Sequence, residues 1–490
     1  MALPVRNDVV MAPQHTLVLD GVLVRDLSDR LQTEVRLVPD GASIEVNSVV
    51  MDSRRVVDGA LFACVRGEHF DGHEFAIETL ENGAVALLVD RQLDVAAPQL
   101  IVADVRAALG EVASMMSNRP SSEMDVIGVT GTNGKTTVAQ LLAAVFVAAG
   151  RRSAVIGTLE GDMTTPEAPV LQRKLRDLAD DGVAVVVVEV SSHSLIQHRV
   201  SGTSFAAGIF TNLGHDHLDL HGTQEEYFRA KSLLFTSYGI QRMILNDDDV
   251  HGRLLGDLAS DVHEVCRYSM SELEVLDLSL HGSRFVLDGT SFSLPIPGRP
   301  NVENALAVIA CARSFGVPDE TIAQGLASVE QVPGRMQVLA AENFDAVVDF
   351  AHTPEALGAL LRTCREVAPE RRLTVIFGCG GGRDVQKRPE MASIAGRLAD
   401  VVVVTSDNPR DEDPLEIIDE VCSGFTSATK AEWSVEVDRA AAIAHTIAHV
   451  RDGDVIVVAG KGHERYQEVA SCRKDFDDVA HIRAAMEIKR

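Results

Sequence analysis

The sequence predicts an α/β protein of three domains: a small mixed α/β domain, a central domain with a parallel sheet and a phosphate-binding loop, and a C-terminal doubly wound domain. Three observations carry this. The chain of 490 residues is long enough for about three domains. Near-continuous β-branched runs such as Val183–Val190 read as parallel strands buried on both faces. After residue 333 a second series of apolar strands alternates with helical segments, and each strand ends in a polar loop.

The central feature is Gly128-Val129-Thr130-Gly131-Thr132-Asn133-Gly134-Lys135-Thr136-Thr137. It follows a short apolar strand, Asp125 to Val129, and opens an Ala-rich helix, Val138 to Ala149, closed by Gly150. Gly131 and Gly134 let the backbone curl so that N–H groups face a polyphosphate, and the helix N-terminus adds partial positive charge. Lys135 is placed to reach the outer phosphates and the Thr136 hydroxyl to ligate Mg²⁺. Val129 stands where the common G-x-x-x-x-G-K-[ST] pattern has Gly. A glycine turn opening a core helix is the plain alternative, and the strand–loop–helix context argues against it.

The balance of 45 basic against 72 acidic residues, net −27, argues against a nucleic-acid surface. An anionic ligand must therefore meet locally placed Arg, Lys and N–H groups. The 7 cysteines are scattered with no C-x-x-C pair, so neither a disulfide framework nor a zinc ribbon is expected. The N-terminal stretch lacks the apolar core of a signal peptide, and no apolar run is long enough to cross a bilayer. A cytoplasmic monomer without membrane insertion is expected.

In chain order, residues 1–104 form the first domain, with strands near Ser48–Asp52, Ala60–Val65 and Ala84–Val89. Its Met51-Asp52-Ser53-Arg54-Arg55 and Gly67-Glu68-His69-Phe70-Asp71-Gly72 stretches suit a ligand rim, although composition alone favours ordinary turn chemistry there. Residues 105–332 form the central domain. Strand Val183–Val190 delivers Glu189 at its end, a candidate Mg²⁺ ligand or, alternatively, a carboxylate tying down the following turn. Strand Ala206–Phe210 leads to His215, His217 and His221, which allow a rival reading as a zinc centre; one histidine contributing to a Mg²⁺ site fits better, because no matching further zinc ligands are arranged nearby. Lys231, on the amphipathic helix Gln224–Phe235, reads by itself as a snorkelling surface lysine. Strands Ser283–Leu287 and Ser291–Leu294 precede the Ala-rich helix opened by Pro297–Asn304. Residues 333–490 form the last domain, with strands Val347–Phe350, Leu373–Phe377, Val401–Thr405 and Val455–Ala459. Their loops Ala351–Pro354, Gly378–Asp384, Asp407–Arg410 and Gly460–Glu464 gather along one sheet edge.

These motifs together resemble the Mur ligases. The resemblance runs through Thr130–Thr137, Glu189–His193, Gln197–Val200, Asp216–Asp219 and Tyr227–Lys231. It continues through Asn301-x-x-Asn304, Gly334–Met336, Asp349–Pro354, Asp407–Arg410 and Gly460–Glu464, and so covers essentially the whole chain in order. Within the family it is to the tripeptide synthetases of the meso-diaminopimelate-adding type. What it implies is an ATP-dependent ligase of peptidoglycan precursor synthesis that activates UDP-MurNAc-L-Ala-D-Glu as an acyl phosphate and joins it to an amine.

Carried over by position, Met51, Ser53, Glu68, His69 and Phe70 would contact the uridine nucleotide, and Thr164, Thr165, Ser191, Gln197 and Arg199 the sugar dipeptide. Gly131–Thr137, Asn304, Arg335 and Asp349 would hold ATP. Lys135, Glu189, His217 and Lys231 would be catalytic. Thr136, Glu189, His217 and a CO₂-derived carbamate on Lys231 would serve Mg²⁺. Arg383, Asp407, Asn408, Pro409, Arg410, Gly460 and Glu464 would bind the amino acid, with the arginines clamping carboxylates and Glu464 taking the far ammonium of meso-diaminopimelate. The segment between Gly157 and Thr164 is shorter than the family pattern, Gln337 replaces an acidic residue, and Phe350 a tyrosine. An L-lysine-adding ligase, a Mur-like regulator without turnover, and a zinc hydrolase are the competing readings.

Overall fold

A computed structural model of the chain describes residues 21–39, 43–67, 70–161, 163–214, 218–258, 264–470 and 472–489. They pack as two compact units: Met1–Asp125 with Thr165–Val183 and His193–Ser204, and the remainder, Val126–Thr164, Ala184–Ser192 and Phe205–Arg490.

The first unit is built on a five-stranded sheet in the order Val35–Val38, Gln99–Val102, Ala84–Val89, Ala60–Ala63, Ser48–Val50. The first pairing is antiparallel and the others are parallel. Helix Val105–Met116 buries Val105, Leu109 and Val112 in one core with Leu61, Ala63 and Leu88. Helix Ala168–Asp180 lies against it. Gly110 admits the close approach of Ser201: a Cβ there would stand 2.5 Å from the Ser201 Cβ.

The second unit holds two larger sheets. One has the order Glu264–Tyr268, Arg242–Asn246, Ala207–Phe210, Asp125–Thr130, Val185–Glu189, Ser153–Ile156. Every residue of Val185–Glu189 is buried, which explains its unbroken apolar run. Helices Lys135–Ala148, Arg299–Ser314 and Asp319–Ala327 pack together beside this sheet. The phosphate-loop helix begins at Lys135, three residues before the sequence pattern suggests. Its first turn is polar and carries no apolar period, yet Gly134, with φ of 90°, already turns the chain into the helix.

The other sheet has the order Gln337–Ala340, Asp345–Asp349, Val455–Ala459, Leu373–Phe377, Val401–Val404, Glu432–Val435, antiparallel only at the first pairing. Alternate residues serve opposite faces. Val347, Val375 and Val457 share a core with Leu357, Leu361 and Met391. Val348, Ile376 and Val458 share another with Ile443, Ile447 and Ile482. Helices therefore cover both faces, as the doubly wound reading expects.

One strained charge lies on helix Arg299–Ser314. Burial, reinforced by repulsion from Asp248 and Asp249, raises the Glu303 carboxyl to about 7. Between pH 4.5 and 7 the folded chain keeps a proton that the unfolded chain has released, so this group loses stability as pH rises through that window. Glu303→Gln is expected to stabilise the protein by about 1–3 kcal/mol at pH 8 and to have little effect at pH 4.5, as read from denaturant midpoints at the two pH values.

Candidate active site

The phosphate loop is held from two sides. Gly131 adopts φ of 147°, and a Cβ there would sit 1.9 Å from Thr211 Oγ1. The Thr211 hydroxyl donates to the Asn133 carbonyl at 2.6 Å, the Thr132 N–H to the Asn212 carbonyl at 2.8 Å, and the Asn133 N–H to Asn212 Oδ1 at 2.9 Å. The loop after strand Ala207–Phe210 thus braces the glycine turn. On the other side Asn304 meets Gly134, where an added Cβ would lie 2.3 Å from Asn304 Oδ1.

Glu189 occupies the centre of the site and is 1% exposed. Its Oε2 accepts from the Thr136 hydroxyl at 2.9 Å and from the Thr158 hydroxyl at 3.1 Å, while Oε1 accepts from the Thr158 N–H at 2.9 Å. Thr158 Oγ1 is also 3.0 Å from Thr164 Oγ1. Glu189 therefore does tie down a turn, though the turn is the one opened by Gly157, and the same carboxylate grips the phosphate loop. The oxygens of Thr136 and Glu189 are the hard donors that a Mg²⁺ ion takes, and they already lie together. Among the described residues no group of three or more His, Cys, Asp or Glu is placed to hold a metal. His221 Nε2 lies 2.9 Å from Ser192 Oγ. His215 and His217 lie outside the described residues, as do Glu68 and His69.

Two lysines converge on one carbonyl. Lys135 Nζ donates to Gly131 O at 2.8 Å and to Thr132 O at 3.0 Å. Lys231 Nζ donates to Gly131 O at 2.8 Å and sits 4.4 Å from the Tyr227 ring centroid. Lys231 is 1% exposed, which overturns the reading of its helix pattern as a snorkelling surface lysine. The helix turns this face inward because Tyr227, Ala230, Leu234 and Phe235 on it are buried too. The Tyr227 hydroxyl lies 3.2 Å from Thr132 Oγ1, a brace that the sequence pattern gave no means of singling out.

The C-terminal sheet adds Arg335, whose guanidinium donates to Thr136 Oγ1 at 3.4 Å and stacks 4.8 Å from the Phe350 ring centroid. The Asp349 carboxylate accepts from the Met336 N–H at 2.7 Å and the Ala351 N–H at 2.8 Å. Burial raises its pKa against the opposing effects of Arg335 and those two donors. Gln337 uses its side-chain oxygen to accept from the Gly334 N–H at 3.0 Å. Burial, with Arg335 nearby, pushes His463 down to about 4.

At the same sheet edge, Asp407 and Asn408 meet Glu464 and Lys461: Asn408 Nδ2 donates to Glu464 Oε2 at 3.0 Å, and Lys461 Nζ to Asn408 Oδ1 at 2.9 Å. Arg410 has φ of 54°, donates to Gly381 O, and pairs with Glu468 at 3.4 Å. Arg383 is exposed and stands apart from this cluster's hydrogen bonds. Sequence reading passed over Lys461 and the buried Arg388, which pairs with Glu412 and Glu420 and donates to Gly380 O. The K-G-H-E order was visible, but burial of the lysine was not.

In the first unit, Asp52 accepts from the Arg54 N–H and guanidinium, so Met51–Ser53 is ordered by the ordinary turn chemistry expected of it. Phe70 is 69% exposed. Arg199 Nε lies 2.9 Å from Glu167 Oε1, and its NH1 donates to Thr165 O at 3.3 Å. Thr165, Gln197 and Arg199 belong to this unit, Thr164 and Ser191 to the other.

Comparison with known proteins decides the family. The Mur ligase family catalytic domain matches residues 45–144, the Mur ligase middle domain 129–312, and the glutamate ligase domain of Mur ligases 334–462. The chain is 40% identical over 478 residues, 92% of its length, to the UDP-N-acetylmuramoyl-L-alanyl-D-glutamate–2,6-diaminopimelate ligase of Geobacillus kaustophilus, covering 96% of that protein.

The chain belongs to the Mur ligase family.

It is also 42% identical over 484 residues to the ligase of the same name from a Synechococcus species, covering 92% of this chain and 96% of that one. A solved structure bearing that ligase's name superposes with a TM-score of 0.69 at 32% identity, covering 96% of this chain and 99% of the other. The three-domain Mur ligase architecture follows.

Because Gly131 combines positive φ with contact to Thr211, Gly131→Ala is expected to cost about 1–3 kcal/mol of stability and to weaken nucleotide binding more than tenfold. Thermal unfolding with and without MgATP measures both.

Proposed function

We propose that the protein is an ATP-dependent ligase that adds meso-diaminopimelate to UDP-N-acetylmuramoyl-L-alanyl-D-glutamate in the cytoplasm, during peptidoglycan precursor synthesis. The observation that carries this is the joint placement of Lys135, Thr136, Glu189, Lys231 and Arg335 around one phosphate loop, in a chain that matches diaminopimelate ligases over 96% of their length. The three lobes 1–104, 105–332 and 333–490 are assigned to the UDP substrate, ATP and the amino acid. No helix among the described residues is long and apolar enough to cross a membrane.

In the first step a carboxylate oxygen of the substrate's glutamate attacks the γ-phosphorus of ATP and ADP leaves. In the second the amine nitrogen attacks the resulting acyl phosphate, phosphate leaves and the nitrogen loses a proton. A carboxylate is a poor acyl donor until its oxygen is made a good leaving group. Lys135 and Arg335 stabilise charge on the transferring phosphoryl group. Thr136 and Glu189 are assigned to Mg²⁺ together with His217 and a carbamate on Lys231. Bound there, the ion would neutralise charge between the outer phosphates. A lysine must shed its proton to take up CO₂, and Lys231 sits buried beside the phosphate loop, 1% exposed. The remaining assignments stand as given: Met51, Ser53 and Glu68–Phe70 for the uridine nucleotide; Thr164, Thr165, Ser191, Gln197 and Arg199 for the sugar dipeptide; and Arg383, Asp407–Arg410, Gly460 and Glu464 for the amino acid.

The test is a substrate panel of ATP and UDP-MurNAc-L-Ala-D-Glu with meso-diaminopimelate, L-lysine or L-ornithine, read as phosphate and tripeptide. Phosphate release is expected only with all three substrates and fastest with meso-diaminopimelate; faster turnover of L-lysine would defeat the assignment. Lys135→Ala is expected to lower kcat about 10²–10³-fold. Isotope-labelled bicarbonate is expected to give a carbamate carbonyl resonance that Lys231→Arg abolishes.

A further inference from the structure

The loop 460–464 leaves the end of strand Val455–Ala459, the third in its sheet, and carries Lys461 inward, with 0% exposure. An ammonium has three protons, and Lys461 has three oxygen partners: Asn408 Oδ1 at 2.9 Å, Glu464 Oε2 at 3.3 Å and Asp407 Oδ1 at 3.4 Å. All its donors are used inside the protein, so it is not available to a ligand. Its effect on its partners is another matter.

A cation at Asn408 Oδ1 fixes that end of the amide as the acceptor. The Glu468 N–H, at 3.0 Å, agrees with the assignment. The amide nitrogen then faces Glu464 and donates to Oε2 at 3.0 Å. Glu464 Oε2 thus receives both Asn408 and Lys461, while Oε1 carries none of these bonds on a side chain still 21% exposed. The charges follow the same logic. Asp407 and Glu464 contribute two negative charges and Lys461 one positive, leaving one negative. The adjoining cations do not cancel it, because Arg439 is paired with Asp478 at 2.8 Å and Arg410 with Glu468 at 3.4 Å.

We propose that Lys461 is a positioning residue for the amino-acid substrate: it orients Asn408, turns one Glu464 oxygen outward, and trims the local charge to the single negative value that matches one ammonium. This rests on the reading of that sheet edge as the amino-acid site. Without Lys461, two carboxylates would share the pocket uncompensated, Asn408 Oδ1 would keep only the Glu468 N–H, and Glu464 would turn toward solvent.

The test uses the full-length enzyme and three variants: Lys461→Met, Lys461→Arg, and Lys461→Met combined with Glu464→Gln, in which a charge of each sign is removed so that folding is kept. Expected is a rise of about 30-fold or more in KM for meso-diaminopimelate in Lys461→Met, with KM for ATP within about twofold and partial recovery in Lys461→Arg. The double variant is expected to regain thermal stability but not the low KM. An unchanged KM for the amine in folded Lys461→Met, or in the double variant should the single one fail to fold, overturns the proposal. So does a loss confined to kcat in proportion to folded protein, the mark of a purely structural lysine. The wild type separates this from the functional reading: turnover of an amine with unaltered variant KM defeats only the role of Lys461, whereas no amine-dependent turnover defeats both.

Discussion

The carboxylate of Glu189 is the constraint on which the rest of the site depends. A buried carboxylate without partners would cost several kcal/mol, so the chain has to bring donors to it. It brings the Thr136 hydroxyl from the phosphate loop and the hydroxyl and N–H of Thr158 from the turn after strand Ser153–Ile156. Gly157 is required beside it, since a Cβ there would lie 2.2 Å from Glu189 Oε1. One anion thereby fixes the spacing of a helix N-terminus, a strand end and a turn, and places hard oxygen donors where a phosphate-bound cation would meet them.

Around that anion three basic side chains gather at the phosphate loop. Lys135 and Lys231 both donate to the Gly131 carbonyl, at 2.8 Å each, and so meet at one point of the loop. Arg335 reaches Thr136 from the C-terminal sheet and rests against Phe350. In a chain of net charge −27, basic groups are thus concentrated locally at this loop.

The C-terminal sheet pairs its buried cations within the protein. Its buried cations, Lys461, Arg388 and Arg439, are each consumed by protein carboxylates or carbonyls. Their contribution is to hold loops: Arg388 braces the Gly380–Gly382 turn and Arg439 the end of strand Val455–Ala459 through Ala459 O. Glu464, part-exposed at that edge, owes its direction to Lys461, while Arg410 is held by Gly381 O and Glu468.

Much of this was legible in the order of residues. Unbroken valine runs announce strands covered on both faces, because a half-exposed strand would alternate; Val185–Glu189, Leu373–Phe377 and Val455–Ala459 are buried throughout. The glycine spacing and the following Lys-Thr announce the phosphate loop, because only that backbone curls its N–H groups inward. Local pattern could not tell that Lys231 and Lys461 are buried, since burial is decided by what packs on the other side, and an isolated helix face or loop carries no record of that. Nor could it show that Tyr227 and Asn212 brace the phosphate loop, for these contacts join residues separated by up to 95 positions. Sequence fixes chemistry that depends on neighbours along the chain; tertiary structure alone fixes which charges are paired, because pairing is a matter of distances that only the packed sheets set.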